Sequence, residues 1–366
     1  MNFAPPPGAR VAAAMSGGVD SSAAAVLLVR GGCEVTGLTM KLWDCDAHPQ
    51  GVALRSCCSP QDAADAAGVA RALGFSHALV DLSSIFEREV LAPFAEAYAA
   101  GLTPNPCVAC NARVKFGALL VEARALGCEY LATGHYARRV ERGGEPRLAA
   151  ARDGAHDQSY FLYALGPEAL AAAAFPLGDA TKDEARALAR EAELPVAEKL
   201  ASEDLCFAPA GGYAAVLARR APDALTSGEI VDTSGRVLGT HRGVARYTIG
   251  QRRGLALAGG PWYVLRIEAA ARRVVVGREE DVLARAAMIE AMHWPGGAPE
   301  LPFDAAVRVR FRSPPAAAHV TAFGGGAHVR FVRPVRAAAP GQAAVLYDGD
   351  LVLGGGRIAA TEAVAS

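Results

Sequence analysis

The sequence predicts an α/β protein built from a parallel-sheet domain, a small mixed α+β domain and a C-terminal antiparallel β-barrel. Three observations predict it. Short apolar strands alternate with helical stretches in the first half. The pattern changes to mixed short strands after Gly211. From about Ala286 onward, half-buried alternating strands are punctuated by glycine and proline. Strands separated by helices imply a parallel sheet covered on both faces. Alternation with glycine turns suits a small closed barrel. The boundaries this suggests are 1–210, 211–284 and 285–366.

Taken in order, Arg10 to Met15 reads as a strand, followed by a Ser-Gly-Gly turn and a helix from about Ser21 to Arg30. Glu34 to Met40 is the next strand. Gln61 to Leu73 is an alanine-rich helix, His77 to Leu82 a strand and Ser84 to Ala99 a helix. Ala112 to Leu126 is helical and Glu129 to Thr133 a strand. Thr181-Lys182-Asp183-Glu184 has the form of a capping box, opening a helix that stops before Pro195. Gly228 to Gly239, Val244 to Ile249 and Trp262 to Gly277 read as strand regions. Ala306 to Phe311 and His328 to Val332 alternate as barrel strands. Ala322 to Ala327 and Gly354 to Gly356 read as turns.

A chain of 366 residues, 52% apolar and 20% charged, is long enough for two or three domains with real cores. No apolar run is long enough to span a bilayer. Met1 to Ala9 carries three prolines and no basic or long apolar region, so a cytoplasmic protein without a signal peptide is expected. A formal net charge of −1 argues against a generally sticky nucleic-acid binder. The C-terminal part is locally basic, with seven arginines against four acids from Leu301 onward. A solvated strand face explains that run as well as a nucleic-acid surface does.

The eight cysteines end at Cys206 and should be mostly reduced thiols. Cys33 and Cys128 lie in apolar stretches and read as buried small hydrophobes. Cys107, Cys110 and Cys206 lie in loop-like sequence. Thr103 to Asn111 contains two prolines and reads as a rigid loop, with Cys110 at the N-terminus of the helix that begins near Ala112. That position lowers a thiol pKa from about 8.5, and Lys115 adds positive charge. Cys107 and Cys110 with Cys57 and Cys58 are a second possibility, a zinc or iron–sulfur site, for which the adjacent Cys57-Cys58 pair is poorly spaced.

Ser16-Gly17-Gly18-Val19-Asp20-Ser21-Ser22 joins the first strand to the first helix. Glycines let the backbone approach an anion, and a helix start offers N–H groups and a positive dipole end. No lysine follows the glycines, so this is not the common lysine-bearing phosphate loop. The segment resembles the pyrophosphate loop (PP-loop) of the ATP pyrophosphatases. That resemblance implies that ATP is cut between its α and β phosphates and AMP is passed to a substrate oxygen. It implies that the backbone of Ala14, Met15, Ser16, Gly17, Gly18, Val19, Asp20 and Ser21 holds the nucleotide, with Asp20 a ligand of Mg²⁺. Met40 and Gly134 would lie near the adenosine, at carboxyl ends of strands.

Seven segments in order resemble the tRNA-specific 2-thiouridylases: Met15 to Ser22, Thr103 to Phe116, Ala132 to Tyr136, Asp157 to Leu162, Phe175 to Gly178, Ser202 to Phe207 and Tyr247 to Leu255. This resemblance implies ATP-dependent thiolation of the wobble uridine. The C2 oxygen would be adenylated, and sulfur carried as a persulfide on Cys206 would be transferred with Cys110 as the partner nucleophile, ending in a disulfide. Asp20 completes the implied catalytic set. Asn105, Pro106 and Cys107 would touch the target base, although many members carry an acid where this chain has Cys107, and Gln where it has Glu203. His135, His156, Asp157, Gln158, Arg310, Phe311 and Gln342 would contact tRNA at its anticodon loop. Arginine contacts to phosphate would make binding salt-dependent, by roughly one unit of slope per contact. The resemblance also implies a persulfide-donating sulfur carrier or cysteine desulfurase as partner, and a monomer. An amide-forming ligase of the same nucleotide-loop group would need Asp20 but neither Cys110 nor Cys206. A cluster-dependent tRNA thiolase would need three cysteines as iron ligands, and a silent RNA-binding module would need none of these groups.

Overall fold

A computed structural model describes residues 2–43, 60–199, 205–208 and 212–364. Cys45, Cys57, Cys58 and Glu203 lie outside the described residues. The chain divides into two compact units. The first holds residues 1–90, 107–210 and 350–352, and the second holds 91–106, 211–349 and 353–366.

The first unit is a parallel sheet with helices around it. β1 (Arg10–Ala14), β2 (Glu34–Lys41), β3 (Ser76–Asp81) and β4 (Tyr130–Thr133) pair in the order β3-β2-β1-β4. A hairpin of β5 (Ala137–Arg142) and β6 (Glu145–Ala150) follows, which the sequence reading passed over. The two-residue β7 (Ala173–Ala174) completes the sheet beside β4. Val11, Ala13 and Met15 on the central strand pack with Val26 and Leu28 of α1 (Val19–Arg30) and Val69 of α2 (Pro60–Leu73). A strand buried on both faces reads as a continuous apolar run, which is why Arg10 to Met15 was visible in the sequence.

Ser83–Phe86 forms α3, continued by a π-helical turn over Glu87–Leu91; the α4 helix that follows (Ala92–Ala99) belongs to the second unit. The next helix corrects the sequence reading. It begins at Pro106, not near Ala112: α5 (Pro106–Ala109) runs into a π-helical stretch over Cys110–Leu119 and ends as α6 (Leu120–Ala125). Proline at a first helical position removes only an N–H that would have no intrahelical acceptor, so Pro106 starts the helix instead of barring it. Then come α7 (Pro167–Ala172) and α8 (Lys182–Glu191). Thr181 caps α8 as expected: its hydroxyl accepts from the Glu184 N–H at 3.2 Å, and the Glu184 carboxylate accepts from the Thr181 N–H at 2.7 Å.

In the second unit, α9 (Tyr213–Arg220) precedes a four-stranded sheet of β8 (Gly228–Val231), β9 (Val237–His241), β10 (Tyr263–Glu268) and β11 (Arg273–Gly277), ordered β10-β11-β8-β9. Gly228 to Gly239 is thus two strands around a turn. Asp232 accepts there from the Ser234 N–H and hydroxyl and the Arg236 N–H. Val244 to Ile249 is not a strand. Val244–Arg246 forms a 3₁₀ turn, and the Ala245 carbonyl accepts from the Tyr213 hydroxyl at 3.1 Å, so its backbone groups are taken locally.

The barrel consists of β12 (Leu283–His293), β13 (Phe303–Arg308), β14 (Ala316–Phe323), β15 (Gly326–Arg336), β16 (Ala343–Asp348) and β17 (Leu351–Ala363). Their order is β12-β15-β14-β13-β16-β17, and β12 also pairs β17 to close it. Alternate residues such as Ile289, Val307, Val320, Val329, Leu346 and Ile358 fill its interior. The turn expected at Ala322 to Ala327 narrows to Gly324-Gly325. Gly354 to Gly356 is no turn at all but lies within β17. A Cβ on Gly356 would sit 2.5 Å from the Glu290 carbonyl oxygen, so glycine there answers close backbone approach, not chain reversal. No helix among the described residues is long and apolar enough to cross a membrane.

Candidate active site

The loop between β1 and α1 is built for an anion. Gly17 has a φ of +66°, and a Cβ on it would lie 2.3 Å from the Asp62 carbonyl oxygen, so only glycine fits. The Ser21 hydroxyl accepts from the Ser16 N–H at 3.2 Å and donates to the Gly18 carbonyl at 3.1 Å, holding the turn closed. Helix α1 has Gly18 at its N-cap and no side-chain cap, so its first-turn N–H groups face outward at the positive end of the helix. Met15 serves differently. Its N–H bonds the Leu38 carbonyl at 2.8 Å, its carbonyl accepts from Thr39, and its side chain is buried in the core. Met40 lies near the end of β2, half-buried. Gly134 lies against the loop itself: a Cβ there would be 2.7 Å from the Ser21 nitrogen.

Asp20 sits at the centre of the loop's ionic contacts. Lys182 donates to both of its oxygens, at 2.6 and 2.7 Å, and the Tyr136 hydroxyl donates to Oδ1 at 2.8 Å. Burial, then the charge of Asp20, pushes the Tyr136 phenol far up, so it stays a donor. A second lysine closes the other side. Lys199 donates to the Gly17 carbonyl at 3.0 Å, to Asp62 at 2.5 Å and to Asp65 at 2.7 Å. Burial would raise the Asp65 carboxyl, but the Lys199 ammonium and the Gln61 amide outweigh it and hold it below its ordinary value. Sequence reading assigned no role to Lys182, Lys199 or Tyr136. Lys182 stood in the capping box and Tyr136 in the Ala-Thr-Gly-His-Tyr segment, but nothing local ties either to a loop more than a hundred residues away.

The thiol segments each contact the short helix α3. Cys107 is half-buried in the first turn of its helix, and Cys110 is buried at the start of the π-helical stretch. The helix bearing Cys110 packs against α3, which carries Phe86. Phe207, next to half-buried Cys206, sets its ring 5.9 Å from Phe86, and Trp43 adds edge contacts to both rings at 6.3 Å. Among the described residues, no three His, Cys, Asp or Glu side chains are grouped to hold a metal ion.

The residues expected at tRNA divide by what they do in the fold. His135 bonds Thr133 at 2.7 Å beside the Phe116 and Phe175 rings; burial, then the Lys115 charge, holds its pKa well below the ordinary histidine value. His156 is exposed and bonds Asp153 at 2.8 Å. Asp157 is 2% exposed and accepts from the Ala151 and Ser159 N–H groups and the Ser159 hydroxyl, so it shapes the turn from within. The Gln158 side chain accepts from the Tyr136 N–H at 3.0 Å. In the second unit, Asn105 is half-buried and Pro106 buried. The Gln342 amide donates to the Thr103 carbonyl at 3.1 Å and so holds the loop ahead of the thiol helix. Arg310 donates to the Ile249 carbonyl at 2.5 Å and anchors the Tyr247 to Leu255 segment, while Phe311 is half-buried beside it in sequence.

Comparison with known proteins agrees along the chain. Residues 9–210 match the model of the tRNA methyl transferase HUP domain, 214–278 that of the tRNA methyl transferase PRC-barrel domain, and 284–358 that of the aminomethyltransferase beta-barrel domain. The tRNA-specific 2-thiouridylase MnmA of Paramagnetospirillum magneticum is 48% identical over 360 residues, covering 97% of this chain and 96% of that one. The protein of the same name from Methylorubrum extorquens is 49% identical over 367 residues, 97% of this chain and 94% of that one. That of Moorella thermoacetica is 48% identical over 352 residues, 94% and 98% of the two chains. With identity this high over almost the full length of both partners, the chain belongs to the tRNA-specific 2-thiouridylase family.

Proposed function

We propose that this chain is a tRNA-uridine 2-sulfurtransferase that uses ATP to exchange the C2 oxygen of the wobble uridine for sulfur. The observation that carries the reading is a shared contact with α3. Phe207 ties the Cys206 segment to Phe86, and the helix of Cys110 packs on the element that bears Phe86. Two thiol-bearing segments almost a hundred residues apart in sequence thereby contact one structural element.

The chemistry follows from the substrate. A uridine C2 carbonyl has no leaving group. Transfer of AMP from ATP to its oxygen supplies one, with pyrophosphate as the other product. The outward N–H groups at the start of α1 and the ammonium groups of Lys182 and Lys199 supply positive charge for the phosphates. Asp20 is a hard oxygen donor of the kind Mg²⁺ takes, and its carboxylate is a third exposed, so the residues present fit that ion. When bound, Mg²⁺ neutralises charge on the leaving pyrophosphate. Oδ2 of Asp20 keeps a lone pair beyond its bond to Lys182, so Lys182 and Tyr136 would orient the carboxylate for the ion while the Lys182 ammonium stays beside the loop.

Cys206 then delivers its outer sulfur. The terminal sulfur of the Cys206 persulfide forms the bond to C2 and AMP departs with the former oxygen. The Cys110 thiolate attacks Cys206 Sγ, breaking the sulfur–sulfur bond, so 2-thiouridine leaves and a Cys110–Cys206 disulfide remains. Asn105 and Pro106 lie along the entry to this helix and are assigned to the base. His135, His156 and Gln158, with Arg310 and Phe311 of the other unit, are assigned to tRNA. Asp157 and Gln342 act by shaping the segments that carry those residues. We further assign the chain to the cytoplasm, as a monomer loaded by a sulfur carrier or cysteine desulfurase. We take 1–210, 211–284 and 285–366 as its functional domains.

The test is reconstitution. Purified protein, tRNA, ATP, Mg²⁺ and a small-molecule persulfide should yield 2-thiouridine and AMP in equal amounts. Cys206→Ser and Cys110→Ser should each abolish the product, and only Cys206→Ser should abolish the sulfur adduct seen by intact-mass measurement. Full thiolation by both serine variants overturns the reading.

A further inference from the structure

The thiol helix holds one cysteine more than the sulfur transfer uses. Cys107 and Cys110 are three residues apart in its first turns, with Pro106 as the first residue. Residues at that spacing share a helix face, with Cβ atoms about 5–6 Å apart. A disulfide needs about 3.5–4.5 Å. Closing the gap takes a small adjustment, made where the helix can give. First-turn N–H groups have no intrahelical acceptor, and the regular ladder changes to π geometry at Cys110 itself. The two thiols also differ in access: Cys110 is buried, and Cys107 is half-buried. Cys33 and Cys128 offer no substitute. They precede β2 and β4, at the amino ends of the strands, while the nucleotide loop leaves the carboxyl end of β1.

We propose that Cys107 is a resolving thiol that regenerates Cys206 after each sulfur transfer, a step resting on the Cys110–Cys206 disulfide proposed above. The Cys107 thiolate attacks Cys110 Sγ. The Cys107–Cys110 bond forms, the Cys110–Cys206 bond breaks, and the electron pair leaves on Cys206 Sγ. No net oxidation occurs in this exchange. Cys206 returns to a thiolate and can take the next persulfide sulfur. An external dithiol reductant then attacks Cys107 Sγ, the more accessible of the two, and its two electrons restore both helix thiols as it closes to its own disulfide. The oxidised state is thereby held within one helix turn, away from the carrier thiol that a sulfur donor must reach.

Proteolysis separates the alternatives. Cys107 and Cys110 lie in one tryptic peptide ending at Arg113, and Cys206 in another that begins after Lys199 and ends at Arg219. Protein loaded with persulfide is given tRNA, ATP and Mg²⁺ without reductant, quenched in acid, alkylated and digested. The expected product is an internal disulfide in the Cys107–Cys110 peptide, with Cys206 alkylated in most molecules. In Cys107→Ser the crosslink should instead join the Cys110 and Cys206 peptides, and Cys206 should no longer accept a second sulfur until a dithiol is added. Wild-type protein that stops at the Cys110–Cys206 crosslink, with Cys107 alkylated, overturns this proposal and leaves the sulfur transfer standing. Product formed with all three cysteines alkylated overturns both.

Discussion

The ionic pairs around the nucleotide loop and those on the barrel differ in burial. In the parallel-sheet unit, charges pair across long stretches of sequence around one loop. Lys182 reaches Asp20 over 162 residues, and Lys199 reaches Asp62 and Asp65 over 137 and 134. In the barrel, exposed charges pair across neighbouring strands of the outer face: Arg285 with Glu362 and Arg357 with Glu290. Exposed pairs of the second kind contribute little, typically under about 1 kcal/mol. Partly buried pairs of the first kind leave a stranded charge when one partner goes. The barrel therefore stands on its apolar interior, and the site of the first unit stands on its ionic ties.

Three substitutions probe that contrast. Gly356→Val should be the most damaging, because its Cβ meets the Glu290 backbone, which cannot turn aside as a side chain would. A loss of about 3 kcal/mol in urea unfolding is expected, and a loss under about 0.5 kcal/mol would mean the barrel backbone yields freely. Lys199→Met should cost about 2 kcal/mol, since Asp62 is 6% exposed and loses its ammonium, while partial exposure of the lysine moderates the penalty. Its pH dependence carries a sign. The Asp65 carboxyl is held low in the fold, so its contribution is full above the unfolded value of about 3.9 and is lost as pH falls below it. The gap between wild type and variant should therefore narrow on acidification, and a gap that stays constant from pH 7 to pH 3 would place the effect elsewhere. Thr181→Ala should cost about 1 kcal/mol by removing the cap on α8, the helix whose first residue is Lys182. Unchanged stability would show that packing alone holds that helix start.

What the sequence disclosed follows the same division. The loop Ser16 to Ser22 was readable because phosphate chemistry demands contiguous small residues, so its signal is local. Lys182, Lys199 and Tyr136 were not, because their partners are set by how the chain returns to the loop, and no spacing rule encodes that return. Two of the six barrel strands, β13 and β15, were visible by alternation, which reports one face buried and one wet. Gly354 to Gly356 was misread because glycine marks both turns and places where backbones crowd, and only the neighbouring strand tells them apart. Pro106 misled for a related reason: a proline excludes helix before it far more than after it, so the thiol helix began earlier than its sequence suggested.

Those crowded glycines bear on how such a barrel can change over time. An aliphatic interior tolerates exchange of one branched side chain for another while total volume is kept. A backbone contact at Gly356 offers no comparable trade, because there is no side-chain volume to redistribute. The last strand therefore fixes how closely its neighbour can approach, and drift in the lining must accommodate a circumference that this short stretch has already set.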